Sequence, residues 1–388
     1  MNDTNHNPLH NPILQFGTSR FLQAHADLFV SEAAQTGQAL GKITIVQTTN
    51  SAQGAARVAA FRQAGGYPVR IRGWHDGAQV DDERRVHAVT QAWQTGSDWQ
   101  QVRAAAVAAR VIISNTGDSG YQLFEADHPG LVDGDVAPQS FPAKLMVLLR
   151  DRFLAGAEAV TIYPCELVVD NGTVLRELIV NLARQWRLDA GFIAYLETGC
   201  VWINSLVDRI VSEPIEPIGA VAEPYALWAI EAQAGMVLPC SHAQLVVTAS
   251  LREYEQRKLF LLNLGHTYLA QLWLEKGSPA AMTVKEAMRD GAMPDALESL
   301  WQDEVLPVFA AMGAREGAAA TSYLAQVKER FNNPFLAHRL GDIAQNHGEK
   351  IGRRMAPVVA LAQQLCPGLA QPRLRAMIAQ AVQPGVQK

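Results

Sequence analysis

A chain of 388 residues, 48% of them hydrophobic and 18% charged, has an ordinary globular composition and the length for two domains, each with its own core. Its net charge of −5 at pH 7, without a block of Lys and Arg, argues against nucleic-acid binding, which draws on counterion release along a basic face. No apolar run reaches the ~18 residues of a membrane span, so a small molecule is the expected partner, with no nucleic acid and no membrane.

The first residues, Met1 to Pro12, are polar and rich in Asn and His. They lack the basic and then apolar segments of a signal peptide, and a cytoplasmic protein is expected. Ile13 to Phe16 is a short apolar strand that breaks at Gly17, and 21–32 reads as a helix. Strand, tight turn and helix open a dinucleotide-binding unit, in which N–H groups at the helix start receive a pyrophosphate. The turn Gly17-Thr18-Ser19-Arg20-Phe21 has glycine only at its first position, so spacing alone leaves the nucleotide site open. His25 is expected to be a core residue hydrogen-bonded within its helix.

The next strand, 43–46, ends in Gln47-Thr-Thr-Asn50, where NAD enzymes often carry a carboxylate for the ribose hydroxyls and NADP enzymes a base. Gln47 is neither; it can hydrogen-bond a ribose but does not choose between the two. Tyr67 to Gly73 and the turn at Asp76-Gly77 read as a hairpin whose arginines form a solvated face. A helix over 99–109 leads to the strand 111–113, which ends in Ser114-Asn115-Thr116-Gly117-Asp118-Ser119-Gly120. Small polar residues beyond a strand's carboxyl end suit a cofactor, with an ordinary polar loop as the alternative.

An amphipathic helix over 141–153 and a strand over 159–163 run into Pro164-Cys165-Glu166-Leu167 and Asp170-Asn171-Gly172. Asn171 is either an amide near the substrate or part of an Asn-Gly turn. A helix follows over 174–186, and then Asp208 and Arg209, which are expected to pair with each other. Prolines over 213–217 and at Pro224 mark a boundary, dividing the chain into an α/β Rossmann-like domain, 11–220, and a mainly α-helical domain, 221–388. Cys165, Cys200, Cys240 and Cys366 are widely separated, and no Cys/His cluster has ligand spacing. Reduced thiols and no metal site are expected.

Apart from a strand-like piece at 244–248, the second half has helical periodicity over 251–273, 284–291, 296–312, 318–331, 356–365 and 374–382. The first of these helices carries Arg257-Lys-Leu-Phe-Leu-Leu-Asn-Leu-Gly-His-Thr267. At about 100° per residue, Lys258 and His266 fall roughly 80° apart with Asn263 about 60° beyond, so all three can face one cleft. A lysine buried in such a run has its pKa lowered towards the range of proton exchange; one that snorkels to water does not.

Lys258-x4-Asn263-x2-His266, followed by Thr267, resembles the signature of the polyol and sugar-acid long-chain dehydrogenases, the family of mannitol dehydrogenase and the uronate reductases. The similarity continues through nearly the whole chain. Gly17-x-Ser19-x-Phe21-x-x-Ala24-His25 looks like the family's Gly-x-Gly-x-Phe-x-x-Ala-His with serine for the second glycine. The loop at Ser114-Asn115-Thr116 is similar to the uronate reductases' Ser-Asn-Thr-x-Glu-x-Gly, with Asp118 for its acid. Asn204 to Ile210 resembles Asn-x-x-Val-Asp-Arg-Ile, and Lys350-Ile-Gly-Arg353-Arg354-x-x-Pro357 the closing motif. Glu166-Leu167, in place of an Asp-Asn pair, and Asp342, in place of an arginine, lean away from the mannitol-oxidising relatives.

The resemblance implies a zinc-independent enzyme that interconverts a keto sugar acid, tagaturonate or fructuronate, and its hydroxy acid with NAD, NADP not being excluded. It places the dinucleotide on Gly17, Thr18, Ser19, Arg20, Phe21 and Gln47, with Asn115 and Thr116 near the nicotinamide or its ribose. It makes Lys258 the general acid and base, Asn263 the group that polarises the reacting oxygen and His266 the group that orients a hydroxyl. Asn171 and Asp208 are then substrate-side residues, Asp208 orienting the catalytic group, while Lys350 and Arg353 meet the carboxylate. A polyol or polyol-phosphate dehydrogenase and a catalytically silent nucleotide-binding regulator are the alternatives. Oligomeric state is left open.

Overall fold

The computed structural model describes residues 11–117, 120–279 and 281–382; Asp118 lies outside them. The chain forms two compact units that alternate along the sequence. The first holds the residues up to Ile71, Asp82–Ala222 and Ala226–Leu251; the second holds Arg72–Asp81, Glu223–Tyr225 and the residues from Arg252 onward.

The first unit is built on β1 (Ile13–Phe16), α1 (Arg20–Gln23), α2 (Ala26–Gln35), β2 (Ile43–Gln47), α3 (Ala52–Gln63), β3 (Tyr67–His75) and β4 (Ala78–Val86) apart from their shared tip Arg72–Asp81, β5 (Val89–Gln94), α4 (Trp99–Ala108), β6 (Val111–Ser114), α5 (Phe141–Leu154), β7 (Thr161–Pro164), α6 (Asn171–Gln185), α7 (Ala190–Ala194) and β8 (Val201–Trp202). Six strands make a sheet in the order β5-β2-β1-β6-β7-β8, with every pairing parallel. Every residue of β1, β2, β6 and β7 is buried. That is why these segments read as continuous apolar runs rather than alternating ones: a parallel sheet is covered on both faces. On one face Leu14, Ile112 and Ile162 share a core with Val102, Leu145, Leu149, Leu175 and Ile179 from α4, α5 and α6.

From β1 the chain moves to β2 on one side and returns to β6 on the other. The carboxyl ends of β1 and β6 therefore flank the switch point at which open α/β sheets bind ligands. The remaining strands, β9 (Ser205–Asp208), β10 (Val211–Pro214), β11 (Ala220–Ala222), β12 (Leu227–Glu231) and β13 (Leu245–Thr248), form a sheet β13-β12-β9 and, with the hairpin, a sheet β10-β11-β3-β4.

The helix expected over 21–32 is broken at Ala24 and His25. The Ala24 carbonyl accepts from Arg209 Nη1 at 2.6 Å, so a buried guanidinium takes over the bond that a continuous helix would have made. His25 is a core residue, but its partner is not in its own helix: Nε2 meets the Leu227 carbonyl at 3.0 Å. Burial, with Arg209 adding to it against the pull of Asp208, holds the ring down to about 3 and therefore neutral.

The second unit is helical: α8 (Arg252–Arg257), a π-helical stretch Lys258–Asn263, α9 (Leu264–Glu275), α10 (Val284–Ala287), α11 (Ala292–Leu300), α12 (Leu306–Ala311), α13 (Ala314–Phe331), α14 (Leu340–Ile343), α15 (His347–Arg354), α16 (Ala356–Leu365) and α17 (Pro372–Val382). Leu261, Leu264, Leu269, Leu297, Trp301, Phe309, Val327 and Val358 belong to its core. Glu223 is fixed in this unit by Arg330, whose Nε and Nη2 reach the two carboxylate oxygens at 3.0 and 2.9 Å. Among the described residues, no helix is long and apolar enough to cross a membrane.

One buried polar group beside β1 gives the first unit a pH dependence. Asp27 Oδ2 accepts from the Tyr67 hydroxyl at 2.6 Å, while Asp27 Oδ1 and Gln15 Oε1 are buried without a partner. Burial pushes the Asp27 carboxyl up to about 7, against the opposing pull of Tyr67 and Gln15. The folded state thus holds a proton that the unfolded chain releases near pH 4. This stabilisation is full below that pH and is lost as the pH rises towards 7. Between pH 4 and 7, Asp27→Asn is expected to gain on the parent by an amount on the order of 3 kcal/mol, measured by urea denaturation. A difference that does not change with pH would refute the protonated assignment.

Candidate active site

Two groups of the expected residues come together, one in each unit. In the first unit the turn after β1 closes on Gly17, at φ 114°. Its N–H donates to the Val46 carbonyl at 3.0 Å, and a Cβ at this position would stand 2.5 Å from the Asn115 carbonyl oxygen. Only glycine fits, both for the left-handed backbone and for the close pass. Ser19, where the family pattern has a second glycine, is the N-cap of α1 and accepts from the Leu22 N–H. Phe21 stacks on His25 with centroids 4.8 Å apart, and Arg20 is exposed. The Thr18 hydroxyl donates to the Gln47 carboxamide oxygen. Gly17, Thr18, Ser19 and Gln47 are thereby one connected turn.

Asn115 and Thr116 are held against this turn from the other side of the switch point. The Asn115 N–H donates to the Phe16 carbonyl at 2.9 Å and its Nδ2 to the Cys165 carbonyl at 2.7 Å. Thr116 gives both its N–H and its hydroxyl to Glu166 Oε1, at 3.0 and 2.9 Å. Ser114 Oγ and the Tyr121 hydroxyl reach Glu166 Oε2 at 3.0 and 3.4 Å. Burial raises the Glu166 carboxyl and these donors oppose the rise. Sequence reasoning used Glu166 only as a departure from relatives. Its place at the carboxyl end of a buried strand was the available signal.

Asn171 is not available to a substrate. Its Nδ2 donates to the carbonyls of Pro164, Glu166 and Ser205 at 3.1, 3.1 and 2.9 Å, and its Oδ1 accepts from the Ser205 N–H at 3.0 Å. It begins α6 rather than forming an Asn-Gly turn, and it joins the end of β7 to β9. Asp208 and Arg209 are both buried and both act on His25.

In the second unit the helix that carries the Lys258 stretch is not a regular α-helix. Lys258–Asn263 is π-helical, so the 100° step used to place the three side chains does not hold there; a widened turn winds less per residue. Lys258 is half-buried rather than enclosed. The carbonyls that the widened turn turns aside find other donors. Leu261 O accepts from Trp301 Nε1 at 3.2 Å, and Asn263 O accepts from Thr267 Oγ1 at 3.1 Å and Arg354 Nη1 at 3.2 Å. Gly265 lets Trp301 in: a Cβ there would be 2.6 Å from the indole. The Asn263 carboxamide is half-buried and makes no hydrogen bond to the described residues, in contrast to that of Asn171.

His266 stacks on Phe331 with centroids 4.4 Å apart and meets His338 edge-on at 4.7 Å. Burial lowers the His338 pKa, and the cations of Lys350 and Arg354 lower it further against the pull of Asp342. Lys350, whose Nζ donates to the Ile343 carbonyl at 2.8 Å, is itself lowered by burial and by Arg354. Arg353 does not join this group: it is exposed and pairs with Glu349 at 3.4 Å on its own helix. Arg354 donates to Thr267 Oγ1 at 2.9 Å and is the arginine that acts on His338 and Lys350. One residue along α15 is a turn of about 100°, and only the fold decides which arginine faces inward.

Residues 11–237 match the model of the mannitol dehydrogenase Rossmann domain, and residues 250–383 that of the mannitol dehydrogenase C-terminal domain. An altronate oxidoreductase of Halalkalibacterium halodurans is 32% identical over 368 residues, covering 89% of this chain and 69% of that protein. One of Bacillus subtilis is 29% identical over 372 residues, covering 89% and 74%. Among solved structures, a D-sorbitol dehydrogenase in substrate-free form superposes with a TM-score of 0.82 at 20% identity, covering 96% of this chain and 80% of the other. The Pseudomonas fluorescens mannitol 2-dehydrogenase complex with NAD and D-mannitol does so with a TM-score of 0.72 at 19% identity, covering 96% and 79%.

Replacing Arg354 by Ala strips donors from Asn263 O and the buried Thr267 hydroxyl, and is expected to cost about 1–3 kcal/mol in chemical denaturation. Arg353→Ala, at an exposed pair, is expected to leave stability unchanged. Equal effects would refute the placement of Arg354.

Proposed function

The chain belongs to the mannitol dehydrogenase family, and on that premise we propose that it interconverts a keto sugar acid and its hydroxy acid with NAD(H). The names of its relatives favour tagaturonate and altronate over fructuronate and mannonate. The observation that carries the sugar-acid reading is the electrostatics beside His266. Two cations, Lys350 and Arg354, act on the imidazole of His338 against the pull of Asp342, and Arg354 also bears on Lys350 against the pull of Glu349. A substrate carboxylate relieves that repulsion through charge-assisted hydrogen bonds, roughly twice as strong as neutral ones; a neutral hexitol cannot.

The dinucleotide fits the first unit. The cradle that a Cβ on Gly17 would fill lets the backbone approach a pyrophosphate, with Thr18, Ser19, Arg20 and Phe21 around it. Gln47 stands at the adenosine ribose, and Asn115 and Thr116 at the nicotinamide side. When bound, the nicotinamide supplies the hydride chemistry. Glu166 keeps Asn115 and Thr116 in place.

Lys258 gives its proton to the substrate oxygen as negative charge grows there in reduction, and removes it in oxidation. The Asn263 Nδ2, not committed to the protein, polarises the same oxygen. His266, fixed between Phe331 and His338, orients a neighbouring hydroxyl. A cytoplasmic setting accords with the four free thiols.

The test is oxidation of NADH by the purified protein with tagaturonate, fructuronate, fructose and fructose 6-phosphate in turn. One uronate is expected to turn over, and Lys258→Ala to lower kcat about 10²–10⁴-fold with NADH binding retained. Turnover of only a neutral or phosphorylated ketose would overturn the sugar-acid reading, and full activity in the variant would overturn the role of Lys258.

A further inference from the structure

Resting on the reading of the first unit as the dinucleotide-binding one, we propose that its adenosine end accepts a 2′-phosphate through Arg57, so that the chain binds NADPH as well as NADH. In a dinucleotide-binding sheet the residue that ends the second strand faces the ribose of the adenosine. A carboxylate there takes the hydroxyls and repels a 2′-phosphate, whereas a nearby arginine accommodates it. Here that residue is Gln47. Its carboxamide is already committed: Oε1 accepts from the Thr18 hydroxyl and Nε2 donates to Thr49 Oγ1 at 2.7 Å. Gly54 packs so closely that a Cβ there would lie 3.0 Å from the Gln47 side chain. The amide is held in place and carries no charge to exclude a phosphate.

The base missing from the end of the strand comes from the next helix. Arg57, in the second turn of α3, brings Nη1 to Thr18 Oγ1 at 3.2 Å and to the Thr18 carbonyl at 3.4 Å, which sets the guanidinium beside the residue that Gln47 holds. Arg57 is half-buried and has no ion-pair partner among the described residues. No Asp or Glu occurs between Glu32 and Asp76. Asp98, beyond the end of β5, is taken up by Arg62 at 2.7 Å and by the Gln94 N–H at 2.9 Å. Among the described residues the end of β2 therefore has the Arg57 guanidinium without an ion pair, followed in the chain by the hydroxyl and amide residues Thr48, Thr49, Asn50 and Ser51. A guanidinium with these neighbours suits a phosphate monoester, to which it donates in bidentate fashion.

Calorimetric titration of the full chain with NADH and with NADPH, in the absence of substrate, tests this. The two are expected to bind with dissociation constants within about thirtyfold of each other, where each tenfold is about 1.4 kcal/mol. Arg57→Ala is expected to weaken NADPH by about tenfold or more and to change NADH by less than about threefold, with adenosine 2′,5′-bisphosphate following NADPH and 5′-AMP following NADH. Gln47→Glu, which restores a carboxylate, is expected to weaken NADPH by about tenfold or more relative to NADH. It decides the matter if Arg57→Ala does not fold. NADPH weaker than NADH by more than about thirtyfold in the parent, or equal weakening of both by Arg57→Ala, overturns the proposal while leaving the dinucleotide reading intact. Binding of neither overturns both.

Discussion

The constraint on which the switch point depends is a close pass between two backbones. A single carbon on residue 17 would stand 2.5 Å from the Asn115 carbonyl oxygen, so the turn after β1 and the loop after β6 can meet only through glycine. From that contact the rest of the switch point follows. Asn115 bonds back to Phe16 and across to Cys165, and Thr116 bonds to Glu166. The carboxyl ends of β1, β6 and β7 become one stitched surface. A buried carboxylate is costly on its own. Here four donor groups offset that cost, and in return the loop that would flank a nicotinamide has one conformation.

A comparable trade appears in the second unit. A π-helical stretch spoils regular backbone bonding, and such stretches are found often at functional sites. The cost is contained because Trp301, Thr267 and Arg354 supply donors to the displaced carbonyls, and because Gly265 makes room for the indole. The widened turn leaves the Asn263 carboxamide uncommitted, while Asn171 in the first unit spends its carboxamide on backbone. Two asparagines that look alike as candidates differ in whether any hydrogen-bonding capacity remains.

Charge distinguishes the units as well. Around His266 the pKa of His338 is lowered by burial and by Lys350 and Arg354 against the pull of Asp342, and among the described residues neither cation has an ion pair. At the end of β2 the Arg57 guanidinium and the uncharged Gln47 amide meet at Thr18. Both places are short of negative charge, and both proposed ligand groups, a sugar carboxylate and a phosphate, carry it.

The sequence by itself determined the parallel sheet, since strands buried on both faces must be continuous apolar runs, and it determined the helical character of the second half, since one buried stripe imposes the helical period. It also located Gly17, the Asn115 loop and the Lys258 stretch, because their residue types are out of keeping with a plain core. Tertiary structure alone decided which polar groups spend their hydrogen bonds on the protein. Nothing local distinguishes Arg353 from Arg354, or shows that Asn171 is saturated, that Glu166 anchors Thr116, or that Arg57 reaches Thr18 across 39 residues of chain. Strands such as β9 and β12, of four and five residues, escaped notice because so short an apolar piece carries too little alternation to mark it. Periodicity reports which face of an element is buried; partners, and the direction in which a polar side chain discharges its bonds, are set by what the fold brings against it.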